Sequence, residues 1–300
     1  MTDDKRMEDR RNALKGLGVL GLGAASIASL TAAAAPAAAQ SAGKQTAGKA
    51  RPLSGKVAIV TGARANLGRD FARALGAMGA DVVVHYHREA TRDHAEETAR
   101  LVTEAGGRAA LTVGDLGQRA NVVKMFDVAQ ERFGGLDIFV NNAGLIVKKP
   151  IDQVSEAEFD ASHAINTKAL FFAMQLAATR MRDNGRMIVI GTSLLGPTMA
   201  GNYSAYNGTK APAEEFTRAF VREQGARGIT ANVIAPGPID TPFFHGQENP
   251  QSTQFATGLS MQKRLGRIND ITPMVEFLAS EESRWVTGQT LWVNGGYLTR

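Results

Sequence analysis

Strand-length apolar runs alternate along this chain with stretches whose apolar positions recur every three or four residues. The first run is Lys56-Val57-Ala58-Ile59-Val60. A glycine-bearing stretch follows it, Thr61-Gly62-Ala63-Arg64-Ala65-Asn66-Leu67-Gly68, after which Leu67, Phe71, Leu75 and Met78 share the spacing of one helical face. Gly79-Ala80 then leads into a second strand over residues 81–85. Residues 136–140, 187–190 and 231–234 supply further strand runs. Strands that alternate with helical patterns predict an α/β fold built on a doubly wound parallel sheet, with ligands at the carboxyl ends of its strands. The loops richest in polar and glycine residues all follow strands, so they converge on that edge.

The 300 residues, 44% of them hydrophobic, are enough for a sizeable core within one domain. Neither a repeat nor an interdomain linker follows Lys56. A net charge of +5 is modest, and no Lys/Arg cluster interleaved with aromatics suggests a nucleic-acid face. With no cysteine, disulfides, thiolate-bound zinc and a thiol nucleophile are excluded. The five histidines lack metal-site spacing, so no metal is expected.

Two features carry chemistry. The strand, glycine turn and helix of residues 56–78 form the unit that presents backbone N–H groups and a helix N-terminus to a pyrophosphate. Further on, Tyr206 and Lys210 stand one helical turn apart, with Ser193 thirteen positions upstream. Residues at i and i+4 share a helix face, so the Lys210 ammonium is expected to lie beside the Tyr206 phenol. A nearby positive charge favours phenolate and draws the phenol pKa down from about 10 towards the working range of a general acid/base. Ser193 would hold a substrate oxygen against that phenol.

With these motifs in this order, residues 53–297 resemble the short-chain dehydrogenase/reductase family, whose domain is a Rossmann fold. The resemblance implies a catalytic tetrad of Asn166, Ser193, Tyr206 and Lys210, with Asn166 holding a water that links Lys210 to solvent. It implies a cofactor turn from Thr61 to Gly68, including Gly62, Arg64, Asn66, Leu67 and Gly68. Asp115 and Leu116 match the adenine pocket, and Asn141-Asn142-Ala143-Gly144 matches the signature after the fourth strand. Pro236, Gly237, Ile239 and Thr241 match the segment at the nicotinamide end. The implied activity is hydride transfer between the cofactor and a carbonyl or secondary alcohol, with Tyr206 as the proton donor or acceptor. A pteridine reductase, or a dinucleotide-binding sensor or scaffold without catalysis, is the alternative.

Asn66 stands where the family usually has glycine. Asparagine tolerates left-handed backbone, so the turn is expected to survive, with the Asn66 side chain either inert or in contact with the cofactor. At the end of the second strand the chain reads His85-Tyr86-His87-Arg88, with Tyr86 where NAD enzymes of the family carry an acid. Arg88, helped by Arg64, suits a 2′-phosphate, so NADP(H) is expected over NAD(H). His-Tyr-His-Arg also resembles pteridine reductases, but Ser193 in place of an aspartate and Leu145-Ile146-Val147 in place of an aromatic shelf argue against a pterin.

The N-terminus has a separate pattern. Asp9-Arg10-Arg11-Asn12-Ala13-Leu14-Lys15, an uncharged stretch over 16–43 and Ala37-Ala38-Ala39 resemble a twin-arginine export signal. Residues 1–39 are expected to be that signal peptide, 40–52 a flexible linker and 53–300 the catalytic domain. The protein would then be handled by the twin-arginine machinery and reside in the periplasm, without stable membrane association. An uncleaved N-terminal anchor is the alternative. Leu170, Phe172, Met174, Phe216 and Phe220 are expected on outer helix faces, pointing to a homo-oligomer, a tetramer by family resemblance. Residues 241–262 are expected to form a lid, with Phe243, Phe244, Phe255, Leu194 and Tyr203 as pocket walls over a small carbonyl or alcohol substrate.

Overall fold

The computed structural model describes residues 51–196 and 201–298; the expected export signal and all but the end of the linker lie outside the described residues. Strands β1 (Val57–Val60), β2 (Asp81–Tyr86), β3 (Ala109–Val113), β4 (Leu136–Asn141), β5 (Met181–Ile190), β6 (Thr230–Pro236) and β7 (Thr290–Val293) form one sheet in the order β3-β2-β1-β4-β5-β6-β7. Every neighbouring pair is parallel. This is the doubly wound sheet the patterning implies.

Helices cover both faces. Those of the crossovers are α1 (Asn66–Ala77), α2 (Arg92–Glu104), α3 (Arg119–Phe133), α4 (Glu156–His163), α5 (Ala169–Arg180), α6 (Ser204–Lys210) and α7 (Pro212–Gln224). The last three are α8 (Pro242–His245), α9 (Pro250–Leu259) and α10 (Ile268–Ala279). Side chains alternate across a strand, so β1 sends Val57 and Ile59 to one layer and Ala58 and Val60 to the other. Val57 and Ile59 join Met125 and Phe126 of α3, Leu170 and Met174 of α5 and Phe220 of α7. Ala58 and Val60 join Phe71 and Leu75 of α1, Val102 of α2 and Val275 and Leu278 of α10. Phe71 and Leu75 are completely buried, a contribution of about 1.5–3 kcal/mol each. Among the described residues no helix is long and apolar enough to cross a membrane.

A π-helical turn, Ala164–Lys168, joins α4 to α5, and α7 starts at Pro212, whose missing N–H suits a first helical position. Two details differ from the sequence expectation. β2 runs one residue further, to Tyr86. Leu170, Met174 and Phe220 are not on outer faces: α5 and α7 turn them onto the sheet. Phe172 and Phe216 remain half-buried, gathered around the exposed ring of Phe171 at 5.6 and 5.5 Å between centroids.

The chain leaves β1 in one direction for β2 and β3 and in the other for β4 to β7, so a crevice opens beyond the carboxyl ends of β1 and β4.

Candidate active site

The two loops at that crevice are tied together by Thr61. Its hydroxyl oxygen accepts from the N–H groups of Asn142 (2.8 Å) and Ala143 (2.9 Å), and the Asn142 amide donates to the Thr61 carbonyl at 2.9 Å. Gly62 has φ +63°, and a Cβ at Gly68 would fall 2.5 Å from the Gly62 carbonyl oxygen, so the turn and the first turn of α1 close only on glycine. Asn66 takes φ +52°, the left-handed geometry asparagine tolerates. Ala65 gives α1 no side-chain cap, and its first turn has no acidic residue. The first-turn N–H groups and the positive end of the helix dipole therefore face the crevice as an anion site. This loop fits a dinucleotide pyrophosphate.

His85, which the sequence reading passed over, braces this turn from behind. Its Nε2–H donates to the Gly114 carbonyl at 2.9 Å while Nδ1 accepts from the Gly62 N–H at 3.2 Å. Both bonds together require the neutral Nε2–H tautomer. Burial, opposed by the bond to Gly114, pushes its pKa down to about 4.

Opposite the turn, α6 brings Tyr206 and Lys210 to one face, both buried. Lys210 Nζ donates to the Ile190 carbonyl at 2.9 Å. Burial lowers Lys210 to about 8 and raises Tyr206 to about 12, the latter opposed by a hydrogen bond from Thr192. The expected lowering of Tyr206 by Lys210 is thus reversed: both groups are desolvated, and the ammonium is directed at a backbone carbonyl. The Ser193 hydroxyl is buried beside them with no hydrogen-bond partner. Buried hydroxyls are ordinarily paired, so this one calls for a functional explanation.

Asn166 sits in the π-turn, with its side chain fully engaged. Oδ1 accepts from Leu145 N–H at 2.9 Å, and Nδ2 donates to the Leu145 carbonyl, Ser162 Oγ and Thr209 Oγ1 at 2.8–3.1 Å. The side chain thereby pins the loop after β4 to α4 and α6.

These groups share one cleft of about 1290 Å³. Gly62, Arg64, Asn66, Leu67 and Gly68 form one wall, with Tyr86, His87, Asp115 and Leu116 beyond them. Asn142, Ala143 and Gly144 lead to Ser193, Tyr206 and Lys210, and Pro236, Gly237, Ile239 and Thr241 lie across the cleft. Two expected members stand apart: Asn166 is buried behind the wall, and Arg88 is exposed past the end of β2, outside the lining. The Tyr86 ring is buried and its hydroxyl donates to Glu89 at 3.1 Å. Leu194, Tyr203, Phe243, Phe244 and Phe255 all line the far half of the cleft, the last three on the α8–α9 segment. Among the described residues, no cluster of three His, Asp or Glu could hold a metal.

A family model described as enoyl-(acyl carrier protein) reductase matches residues 62–298, which include the glycine turn from Gly62 onward and all four tetrad positions. The chain belongs to the short-chain dehydrogenase/reductase family. This family membership makes it an NAD(P)-dependent oxidoreductase. It is 35% identical over 261 residues to a hydroxynaphthalene reductase-like protein, Arp2, of Metarhizium brunneum, covering 83% of this chain and 97% of that protein. Among solved structures it is similar to a putative dehydrogenase from Burkholderia cenocepacia with bound NADP (40% identity, TM-score 0.80, covering 84% of this chain and 97% of that one). It is also similar to the angucycline C-6 ketoreductase LanV with bound NADP (35% identity, TM-score 0.78, covering 83% and 98%).

Proposed function

We propose that this short-chain dehydrogenase/reductase uses NADPH to reduce a ketone on a fused-ring aromatic skeleton. The observation that carries the reading is the buried, unpartnered Ser193 hydroxyl beside Tyr206, at the junction between the glycine turn and an aromatic-walled half-cleft. Ser193 orients the substrate oxygen and Tyr206 Oη delivers the proton to it. Bound NADPH supplies the hydride. Lys210 leaves the Ile190 carbonyl to hold the nicotinamide ribose and to lower the Tyr206 pKa once the cleft is filled, and Asn166 keeps the Gly144-Leu145 backbone in place beside them. The Thr192 hydroxyl, bonded to the phenol in the free protein, gives way to the substrate oxygen. Position and electrostatics are the protein's contribution.

Preference for NADP(H) is supported by Arg64 on the cleft wall and by the absence of an acid from 85–88. The substrate class is supported by Phe243, Phe244, Phe255, Leu194 and Tyr203 on the wall and by the likeness to a hydroxynaphthalene reductase-like protein and an angucycline ketoreductase. Export of the folded enzyme by the twin-arginine route and assembly as a homotetramer belong to the same reading. The first rests on residues 1–39, the second on Phe171, Phe172 and Phe216. NADPH oxidation followed at 340 nm over a panel of tetralones, hydroxyaryl ketones and aliphatic ketones tests the function. Preference for the aliphatic members, or for NADH, would overturn it.

A further inference from the structure

The substrate half of the cleft contains a buried charge pair that no step above uses. Lys148, on the loop after β4, places Nζ 2.5 Å from Glu248 Oε2. Glu248 lies between α8 and α9; its side chain is 4% exposed and that of Lys148 15%. Tyr203 is the residue before α6, three positions from Tyr206. It donates its hydroxyl to the other Glu248 oxygen, and its ring lies 5.1 Å from the ammonium and 6.2 Å from the Tyr206 ring. All three residues line the cleft, among apolar side chains such as Leu145, Leu194 and Phe243 and uncharged polar ones such as Gln247, Gln251 and Ser252. Burial opposes ionisation of Glu248, but hydrogen bonds from Lys148, Ser252 and Tyr203 outweigh it and hold its pKa below the usual range.

A largely buried ammonium without a counter-charge is a receptor for a carboxylate or phosphate. Glu248 cancels that charge from the lid side. An anionic substrate entering this half-cleft either faces the Glu248 carboxylate or separates the pair and leaves Glu248 buried and uncompensated, which is strongly unfavourable. A neutral ketone meets neither obstacle. We infer that Lys148 and Glu248 are the charge-specificity determinant of the pocket: the closed pair admits neutral ketones and turns away those bearing a carboxylate. The inference rests on the reading of the cleft as a carbonyl-reducing site.

The test uses the full chain with NADPH and two ketones of one skeleton, a tetralone and the same tetralone with a ring carboxylate, compared by kcat/KM. The wild type is expected to favour the neutral ketone at least tenfold. Glu248→Gln uncovers the Lys148 charge and is expected to shift that ratio at least tenfold towards the carboxylate, mostly through KM. Adding Lys148→Met to it is expected to return the preference to the neutral ketone. Lys148→Met alone, which leaves Glu248 uncompensated, is expected to deepen rejection of the carboxylate and serves if the Gln variant does not fold. Ratios unmoved in variants that still bind NADPH, or equal losses on both ketones, overturn the inference while leaving carbonyl reduction intact. A wild type that turns over neither ketone removes the underlying reading and the inference with it.

Discussion

Replacing His85 with asparagine isolates a stability contribution whose pH dependence follows from two hydrogen bonds. The ring accepts from Gly62 N–H and donates to the Gly114 carbonyl, with only 3% of the residue exposed. A proton added to Nδ1 would face the Gly62 N–H, donor against donor, in a buried site. The folded-state pKa accordingly lies at about 4, against 6.5 for an unperturbed histidine. Between these values the unfolded chain binds the proton and the native protein does not, so stability rises with pH across this window. Conversely, stability falls as pH drops below about 6.5, by about 1.4 kcal/mol per unit, until the native ring titrates near 4. At pH 5 the accumulated loss is about 2 kcal/mol relative to pH 7.5.

His85→Asn keeps an acceptor near the Nδ1 position and loses the donor to Gly114, which costs about 1 kcal/mol at pH 7.5, where no proton is involved. It carries no titrating ring. Urea unfolding of both proteins at pH 7.5, 6.5, 5.5 and 5.0 is therefore expected to give curves that converge. The wild type should be the more stable at pH 7.5 and the less stable at pH 5.0, with a crossing between. Other groups titrate in both proteins and cancel in the difference. Stability differences that stay constant from pH 7.5 to 5.0 would refute the buried neutral ring, as would a wild type that gains on the variant as pH falls.

Tyr206→Phe is expected to lower kcat by about 10²–10⁴-fold or more while NADPH binding, read by the quenching of protein fluorescence, stays within about threefold of wild type. Arg64→Ala should weaken NADPH by about ten- to a hundredfold and NADH far less, as measured by titration calorimetry; equal losses would remove Arg64 from the 2′-phosphate. Gly68→Ala places a methyl against the Gly62 carbonyl oxygen and the Asn142 amide, and is expected to abolish saturable cofactor binding even where circular dichroism shows a folded chain. Lys210, lowered to about 8 by burial, binds fewer protons in the native state than in the unfolded chain between pH 8 and 10.5, so the native protein gains stability as pH rises through that range. Lys210→Met should lack this contribution, so the wild type gains on it as pH rises, and an equal slope in both proteins would contradict the desolvated ammonium.

What could be read from residue order alone was whatever depends on local spacing. The strand, glycine turn and helix of residues 56–78 fixed the position of the anion site because each part is set by its immediate neighbours: β-length apolar run, glycine where a Cβ collides, periodic apolar face. Tyr206 and Lys210 likewise needed only a helix to share a face. The sign of the Tyr206 shift was not legible, because it depends on how deeply α6 is buried and on which acceptor Lys210 finds, and Ile190 lies twenty residues away on β5. Arg88 was legible as a charge but not as a direction, since the backbone leaves β2 for a short turn that carries it off the cleft wall. His85 offers the sharpest case. As one polar residue at the end of an apolar strand it looks incidental, and its meaning comes from Gly62 and Gly114, on the loops after the two neighbouring strands. The parallel sheet brings those loops together at one edge, so a single imidazole there couples the cofactor turn to the strand beyond it. Lys148 and Glu248, a hundred residues apart, are joined by the same edge. On the inference drawn above, long-range polar pairs of this kind set substrate choice in such a cleft, so the reaction class is written in the order of the residues while the substrate must be read from the folded chain.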